Sequence, residues 1–262
     1  MPTRADLLIV MPAWNEREAL PRTLDEVAAK VPGADVLVVD DGSTDGTGAV
    51  ARAHGARVLT LPYNLGVGGA MRAGFRYGVE HGYRVVVQVD ADGQHDPEEL
   101  PLLLDALSGA DVVVGARFAD RGEYAVRGPR RWAMKLLGVT VSAVAGTRLT
   151  DTTSGFRAAN ATATEFFSRN YPAEYLGDTV ESLVLASRAG LVVRQVPVRM
   201  RPRQAGQPSQ ADWKAALYLF RAGLALSLAL LRRAPARTRS ETVGPVGAAR
   251  PAGTAGTAGA AL

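Results

Sequence analysis

Short apolar runs alternate with longer amphipathic runs along the first 116 residues of the chain. The apolar runs are rich in Val, Ile and Leu at successive positions, which is typical of parallel strands buried on both faces. They predict five strands, Leu7–Met11, Val36–Asp40, Arg57–Leu61, Val85–Val89 and Val112–Ala116. The amphipathic runs predict four helices, Glu18–Lys30, Thr47–His54, Gly68–His81 and Pro97–Leu107. This alternation predicts an α/β fold with a Rossmann-like, doubly wound and mostly parallel sheet.

The regular pattern ends after Arg117, where a polar segment rich in Gly and Arg begins. Beyond it the sequence predicts helices at Arg131–Ala145, Ala161–Asn170, Thr179–Ala189 and Lys214–Leu231, and a strand at Val192–Val198. Residues 234–262 are rich in Ala, Gly, Pro and Thr and contain few large apolar side chains, so we expect a disordered tail there. We therefore expect one domain over residues 1–233.

Composition and charge narrow the chemistry. The chain has no Cys, so a metal ion would be held by oxygen or imidazole ligands. Of its 30 basic and 26 acidic residues, five Arg and one Glu lie from Arg232 onward, which leaves the preceding residues balanced in charge. We therefore expect no nucleic-acid-binding face on the globular part. No signal-peptide pattern precedes the first apolar run, and we expect a cytoplasmic protein.

Polar residues follow three of the predicted strands, at the sheet edge where ligands bind in such folds. Pro12 is expected to end the first strand, and Asn15 stands where it would cap the next helix. The second strand ends in VVDDGSTDGT, where Arg52 replaces the Glu that a calcium loop needs at its twelfth position. No glycine-rich dinucleotide fingerprint follows the first strand. The acidic end of the second strand, at Asp40 and Asp41, is instead suited to accept hydrogen bonds from a base or a ribose.

The third polar strand end is VVVQVDADGQHDP. In an extended segment Asp90 and Asp92 would point to the same side, and Gln94 would continue that face. Two carboxylates and an amide oxygen are hard ligands, suited to Mg²⁺ or Mn²⁺ with a diphosphate that completes the coordination. The alternative is an acidic turn that caps the next helix, which we accept for Asp96 before Pro97.

Four motifs, PAWNE, VVDDGSTDGT, NLGVGGAMRAG and VDADGQHDP, together resemble the nucleotide-binding half of family 2 glycosyltransferases of the GT-A fold. The later motifs GARF, DTTSGFRA and RMRPRQAGQPS resemble the branch that transfers hexoses to polyprenyl phosphates such as dolichol phosphate. The resemblance covers residues 7–231. It implies a nucleotide-sugar and metal half over residues 7–116, and an acceptor half with a C-terminal helical region over residues 117–233.

The resemblance also implies roles for individual residues. Those implied to contact the nucleotide sugar are Pro12, Asn15, Glu16, Asp41, Asn64, Gly66, Asp90, Ser154 and Gly155. Asp90, Asp92 and Gln94 would hold Mg²⁺ or Mn²⁺ against the diphosphate. Glu181 occupies a position where many relatives carry an acidic residue that faces the acceptor.

The acceptor decides which further groups are needed. A phosphate acceptor is already ionised and needs cations rather than a strong base, and Arg grips phosphate through two hydrogen bonds. The residues expected to bind that phosphate are Arg117, Arg130, Arg131, Arg203 and Ser209, with Arg203 in a basic run that includes Arg199 and Arg201. Gln210 replaces the Lys of the dolichol-type G-x-S-K pattern, so the acceptor stays open. For a hydroxyl acceptor, Glu181 would be the best base.

Together these features predict an inverting, metal-dependent transferase that moves a hexose from GDP-mannose or UDP-glucose to a polyprenyl phosphate. Leu217–Leu231 is only 15 residues long, whereas a membrane span needs about 20 apolar residues. We therefore expect this segment to dock on the core or to lie at the cytoplasmic membrane surface, aided by the Arg residues that follow it. Two alternatives stay open, transfer to a saccharide or small-molecule hydroxyl, and a non-catalytic nucleotide-sugar-binding domain.

Overall fold

The computed structural model describes residues 6–117, 138–173 and 178–201. Its strands are β1 (Leu7–Ala13), β2 (Asp35–Asp40), β3 (Arg57–Thr60), β4 (Val85–Gln88), β5 (Val112–Arg117), β6 (Arg157–Asn160) and β7 (Val193–Val198). They form one sheet in the order β3-β2-β1-β4-β6-β5-β7. Strand β6 is antiparallel to β4 and β5, and every other neighbouring pair is parallel. The predicted α/β fold with a mostly parallel sheet is confirmed.

Helices cover both faces of the sheet. They are α1 (Leu20–Lys30), α2 (Thr47–Ala53), α3 (Gly66–Glu80), α4 (Leu100–Ala106), α5 (described over residues 138–145), α6 (Ala161–Asn170) and α7 (Asp178–Arg188). Alternate residues of β1 face opposite layers: Leu8 and Val10 pack with α3, α6 and α7, whereas Leu7 and Ile9 pack with α1 and α4. Burial on both sides explains the nearly continuous apolar runs of the central strands.

Pro12 does not end the first strand, contrary to the prediction. It lies inside β1 and pairs in register with Val39 of β2. The missing N–H of Pro12 faces the β4 side of the ladder, because Val10 two residues earlier accepts a hydrogen bond from Val89 there. Strand β4 has ended at Gln88, so no ladder bond is lost and the proline is tolerated in the interior of the sheet.

Strand β6 was not predicted at all. Its four residues Arg157–Asn160 lie between β4 and β5, in the part of the chain interpreted only as the motif DTTSGFRAAN. Two alanines fill the buried middle of the strand, and a polar residue stands at each end. Such a short run without β-branched or aromatic residues carries no strand signal of its own.

The predicted cap before α4 is confirmed. Asp96 accepts a hydrogen bond from the Glu98 backbone N–H at 3.0 Å and begins a 3₁₀ turn, Pro97–Glu99, that leads into α4. The predicted helix Lys214–Leu231, the tail over residues 234–262 and the first part of Arg131–Ala145 lie outside the described residues. Among the described helices, none combines the length and the hydropathy needed to cross a bilayer.

Candidate active site

Asn15 ties two loops together at the carboxyl edge of the sheet. Its backbone adopts a positive φ of 53°, and its N–H donates to the Ser43 hydroxyl at 3.0 Å. In return the Asn15 side-chain oxygen accepts a hydrogen bond from the Thr44 N–H at 3.0 Å. The prediction that Asn15 caps the following helix is wrong, because the residue before α1 is Ala19 and makes no side-chain cap. Asn tolerates the left-handed conformation that this loop needs.

The next two residues strengthen the same connection. The Glu16 N–H donates to the Thr47 hydroxyl at 3.0 Å, and the Arg17 N–H donates to Asp45 at 3.1 Å. Burial raises the pKa of Asp45, but hydrogen bonds from Thr47 and Arg17 outweigh this effect and hold the pKa below its ordinary value. Asp45 is therefore an anion that fastens the loop after β1 to the start of α2.

Asp41 organises the third loop of this edge. Its side chain is buried, and its two oxygens accept hydrogen bonds from the N–H groups of Leu65 at 2.7 Å and Gly66 at 2.8 Å. Asn64 also accepts from the Gly66 N–H, at 3.0 Å, and Gly66 itself has a positive φ of 81°. Burial raises the pKa of Asp41, and the two backbone N–H groups offset part of that increase. The carboxylate thus caps the start of α3.

The segment with the two acidic residues is a turn and not an extended strand. Strand β4 ends at Gln88, residues 91–93 form a turn, and Gly93 has a positive φ of 74°. Asp92 is buried and accepts a hydrogen bond from the Gln94 N–H at 3.0 Å. The expectation that Asp90, Asp92 and Gln94 share one face of an extended segment is therefore wrong, although the two carboxylates do lie in one loop at the sheet edge.

Asp90 is the more accessible of the two carboxylates, with 35% of its side chain exposed. It accepts a hydrogen bond from the Gln88 amide at 2.9 Å. A Cβ atom on Gly155 would lie only 2.9 and 3.1 Å from the two Asp90 oxygens, so glycine keeps this space open. Within the described residues no three acidic or His side chains converge on a metal position. Asp90 and Asp92 carry the oxygen ligands that Mg²⁺ and Mn²⁺ prefer, and their role as metal ligands stays a prediction.

Arg117 lies at the same edge, on the far side of β6. Gln88 of β4 and Val114 of β5 both pair with Arg157 of β6, so these two residues stand at the same height along the sheet. Two strand spacings separate β4 from β5 by about 10 Å. The Arg117 side chain is 44% exposed and its Nε lies 3.6 Å from an Asp151 oxygen. Asp151, which was not singled out from the sequence, is thus the acidic neighbour of a predicted phosphate ligand.

A buried arginine shapes the loop between these two groups. Arg157 donates to the carbonyl oxygens of Thr152 at 3.1 Å and Ser154 at 2.8 Å, and to the Ser182 hydroxyl on α7 at 2.8 Å. Ser154 is fully buried, and its hydroxyl accepts a hydrogen bond from the Phe156 N–H at 3.2 Å. Of the two residues predicted to lie near the sugar, Gly155 therefore borders Asp90. Ser154 is buried and stabilises the loop through its hydrogen bonds.

Glu181 lies on α7 and lines a cavity of about 230 Å³ between α3, α6 and α7. The lining residues are Arg72, Arg169, Asn170, Tyr171, Pro172, Ala173, Glu181 and Leu185, and include neither Asp90 nor Asp92. Glu181 therefore does not share this cavity with the two acidic loop residues. Its role as a base stays a prediction.

Two of the basic residues grouped with Arg203 contact acidic side chains. Arg199 pairs with Glu99 at 2.6 Å, and Arg201 pairs with Glu26 at 2.5 Å and with Asp96 at 2.8 Å. These ion pairs connect the end of β7 to α1 and to the turn before α4. The other residues predicted to contact the acceptor, Arg130, Arg131, Arg203 and Ser209, lie outside the described residues, as does Gln210.

Comparison with known proteins identifies the family of this chain. Residues 8–167 match Glycosyl transferase family 2, and the chain belongs to that family. Over 208 residues it is 38% identical to an undecaprenyl-phosphate mannosyltransferase of Micrococcus luteus, covering 77% of this chain and 86% of that protein. Over 167 residues it is 40% identical to a polyprenol monophosphomannose synthase of Mycolicibacterium smegmatis, covering 58% and 60%. The expected similarity to polyprenyl-phosphate hexosyltransferases is confirmed, and the protein is a hexosyltransferase.

Solved structures support the fold. Glucosyl-3-phosphoglycerate synthase of Mycobacterium tuberculosis, in complex with Mn²⁺, UDP and glucosyl-3-phosphoglycerate, superimposes with a TM-score of 0.64 at 22% identity. The match covers 85% of this chain and 79% of the synthase. At this level of identity the similarity concerns the GT-A fold alone.

Proposed function

We propose that this glycosyltransferase moves a mannosyl residue from a nucleotide sugar to a polyprenyl phosphate, with Mg²⁺ or Mn²⁺ bound at Asp90 and Asp92. The observation that carries the proposal is the arrangement at the carboxyl edge, where Arg117 and the Asp90 loop flank the loop that contains Gly155. The choice of mannose and of a lipid phosphate rests on the two relatives named above.

The donor would bind over the loops after β1, β2 and β3. These loops are tied to one another by Asn15, Asp45 and Asp41, so the backbone around a base and a ribose is fixed before the donor arrives. Small residues at Gly66 and Gly155 permit close approach of the nucleotide and of the sugar. Pro12, Glu16 and Asn64 border the same edge.

Asp90 and Asp92 would hold the cation, with Gln94 as a further oxygen ligand. When bound, a divalent cation neutralises the charge that develops on the departing nucleoside diphosphate. Asp90 is partly exposed and has room beside Gly155, whereas Asp92 is buried and oriented by the Gln94 N–H. The protein's part is to orient both carboxylates and to limit their motion.

Arg117 would receive the acceptor phosphate. Its ion pair with Asp151 is long, at 3.6 Å, and its side chain is nearly half exposed, so an incoming phosphate can compete with Asp151 for its N–H groups. A phosphate oxygen then attacks the anomeric carbon from the side opposite the diphosphate. The new carbon–oxygen bond forms as the bond to the diphosphate breaks, and the electron pair leaves with the nucleoside diphosphate. No proton has to be removed from the ionised acceptor, so this chemistry needs no general base.

A panel of donors and acceptors tests the proposal. Thermal shifts with GDP-mannose, UDP-glucose and other nucleotide sugars in the presence of Mn²⁺ identify the donor, because a ligand that binds the folded chain raises its unfolding temperature. The preferred donor is then supplied with a short-chain polyprenyl phosphate, and separately with simple glycosides. Transfer to the lipid phosphate supports the proposal. Transfer to glycosides alone would favour a hydroxyl acceptor with Glu181 as base, and stabilisation without transfer would favour a binding domain.

A further inference from the structure

His95 is a buried histidine in direct contact with Asp90. Its side chain is 4% exposed, and its Nδ1 lies 3.0 Å from the backbone N of Asp90. A backbone N–H can only donate, so Nδ1 accepts this hydrogen bond and the ring hydrogen is on Nε2. Nε2 faces the Asp90 carboxylate, with 3.5 Å between Nε2 and the nearer oxygen. One imidazole therefore contacts both the main chain and the side chain of the same acidic residue.

The imidazole is held firmly by its surroundings. Its ring stacks on Phe156, with 4.9 Å between the ring centroids and an angle of 17° between the planes, and Phe156 is fully buried. His95 also forms an antiparallel bridge with Met200, and the adjacent Gln94 carbonyl accepts a hydrogen bond from the Arg201 N–H at 2.9 Å. Phe156, just before β6, thus packs on the ring, and the segment after β7 holds the backbone of residues 94 and 95.

We propose that His95 is a positioning residue, which orients the Asp90 carboxylate for the divalent cation. The inference rests on the proposed role of Asp90 as a metal ligand. Gln88 donates to one Asp90 oxygen, Gly155 leaves room beside the carboxylate, and the His95 Nε2 lies 3.5 Å from the other oxygen. At 3.5 Å this last contact is longer than an N–H···O hydrogen bond, so His95 limits the rotation of the carboxylate by close contact more than it adds binding energy.

A purely structural role for His95 makes a different prediction. If the imidazole only satisfies the Asp90 N–H and fills space against Phe156, its replacement lowers stability and leaves the affinity for the cation unchanged. If it positions the carboxylate, its replacement weakens cation binding in protein that is still folded. Groups that orient metal ligands are typically worth about 10- to 100-fold in metal affinity.

Three variants separate these contributions in the full chain. His95→Phe keeps the stacked ring but removes both polar contacts. His95→Asn retains an acceptor near the Nδ1 position, and His95→Gln retains a donor near the Nε2 position. The measurement is the Kd of Mn²⁺ in the presence of saturating GDP or UDP, whichever the wild type binds, obtained from the electron paramagnetic resonance signal of free Mn²⁺. The unfolding temperature of each variant is measured alongside.

We expect Mn²⁺ to bind about 10-fold or more weakly to His95→Phe and to His95→Asn, and His95→Gln to recover most of the loss. His54→Asn is the matched control, because His54 also faces a carboxylate, Asp25 at 2.8 Å, but on the surface beside α1 and α2. Its Mn²⁺ affinity should equal that of the wild type.

These measurements separate a failure of the role proposed for His95 from a failure of the proposed metal site. Wild-type affinity in folded His95→Phe or, if that variant does not fold, in His95→Asn would overturn the role of His95 and leave the proposed function intact. Absence of Mn²⁺ binding to the wild type itself, with either nucleoside diphosphate, would overturn the metal site on which the proposed function rests.

Discussion

The two sides of the carboxyl edge hold their polar groups in different ways. On the proposed donor side, which comprises the loops after β1 to β4, loops are tied together by bonds from backbone N–H groups to side-chain oxygens, as at Asn15, Asp45 and Asp41. On the proposed acceptor side, at the ends of β5 and β7, charged side chains pair with other charged side chains, as between Arg117 and Asp151 and between Arg199 and Glu99. The donor side is therefore built in advance, whereas an acceptor phosphate would have to replace an existing partner of Arg117.

This difference predicts how each side responds to substitution. Removal of a backbone-anchored oxygen moves the chain, whereas an isosteric change keeps the hydrogen bond and alters only the charge, so changes among these groups act on geometry or on metal and donor binding. Replacing one partner of a surface ion pair lowers the free energy of unfolding only slightly, because exposed ion pairs contribute little to stability. Replacing such a charged side chain should mainly weaken the binding of an anionic ligand, and only if the side chain lies at the site where that ligand binds.

The largest effect is expected at Asp92 on the donor side. Asp92→Asn keeps the oxygen that accepts from the Gln94 N–H, so the turn should survive, but it removes a negative charge from the proposed metal site. We expect the transfer rate to fall by about 10³-fold with little change in unfolding temperature. Initial rates measured across a range of Mn²⁺ concentrations check this. Asp105→Asn, on the exposed surface of α4, is the control, and near-normal turnover of Asp92→Asn would remove Asp92 as a ligand.

A second effect, on the acceptor side, is expected at Arg117. Arg117→Ala removes a charged hydrogen bond to the acceptor phosphate, worth about 1.5–3 kcal/mol, so the KM for polyprenyl phosphate should rise by about 10- to 100-fold. The KM for the donor should change much less. Arg117→Lys should recover only part of the loss, because an ammonium group cannot make the paired bonds of a guanidinium.

Arg199→Ala serves as the matched control for Arg117. Its side chain is 69% exposed and pairs with Glu99, and it follows Val198, the residue of β7 that pairs with Arg117. We expect its acceptor KM to stay close to that of the wild type. Equal effects of the Arg117 and Arg199 substitutions would show that general surface charge, and not a site at the end of β5, attracts the acceptor.

A third and smaller effect is expected where the two sides meet, at Gly155. A methyl group there would lie within about 3 Å of the Gln88 amide and of both Asp90 oxygens, so Gly155→Ala should displace the carboxylate. We expect the Mn²⁺ concentration at half-maximal rate to rise by about 10-fold. Gly109→Ala is the control, since the three atoms nearest to its added methyl group all belong to the end of the exposed Arg194 side chain. An unchanged Mn²⁺ requirement in Gly155→Ala would argue against this packing.

The smallest effect concerns the pH dependence of the donor side. Burial raises the pKa of Asp41 above its ordinary value of 3.8, so the folded chain holds this proton more tightly than the unfolded chain does. The contribution of Asp41 to stability is therefore present at lower pH and is lost as pH rises from 3.8 through the raised pKa. Relative to Asp41→Asn, the free energy of unfolding of the wild type should decrease across this window and then level off. Urea unfolding at a series of pH values checks the sign, which an increase would contradict.

Much of the fold follows from local patterns, and the donor side was predicted best. The strands β1 to β5 and the helices between them appear as apolar and amphipathic runs, because each is buried in a regular way. The predicted and observed bounds differ by a few residues where helix caps decide them. Helix α3 begins at Gly66 because Asp41 and Asn64 accept hydrogen bonds from the Gly66 N–H. Strand β6 escaped prediction because its burial between β4 and β5 comes from the sheet and not from its own residues.

The acidic residues of the candidate site could be picked out from the sequence, but the residues that hold them in place could not. The motifs pointed to Asp41, Asp90 and Asp92, since acidic residues at strand ends are conspicuous in a sequence. Their partners lie in distant parts of the chain or in a turn that was expected to be extended, as with Asp41 and the Leu65 N–H, or Asp90 and His95. The pairing of Arg201 with Glu26 spans 175 residues, a contact that no local pattern indicates.

The proposed transfer to a polyprenyl phosphate is tested most directly with two acceptors that differ only in the phosphate. The enzyme is given its preferred donor, Mn²⁺ and either a short-chain polyprenyl phosphate or the corresponding polyprenol, and the glycosylated lipid is quantified over time. We expect transfer to the polyprenyl phosphate, loss of that transfer in Asp92→Asn, and no measurable transfer to the polyprenol, whose hydroxyl is not ionised and offers Arg117 no anion. Equal transfer to both lipids, or transfer to the polyprenol alone, would contradict the proposal.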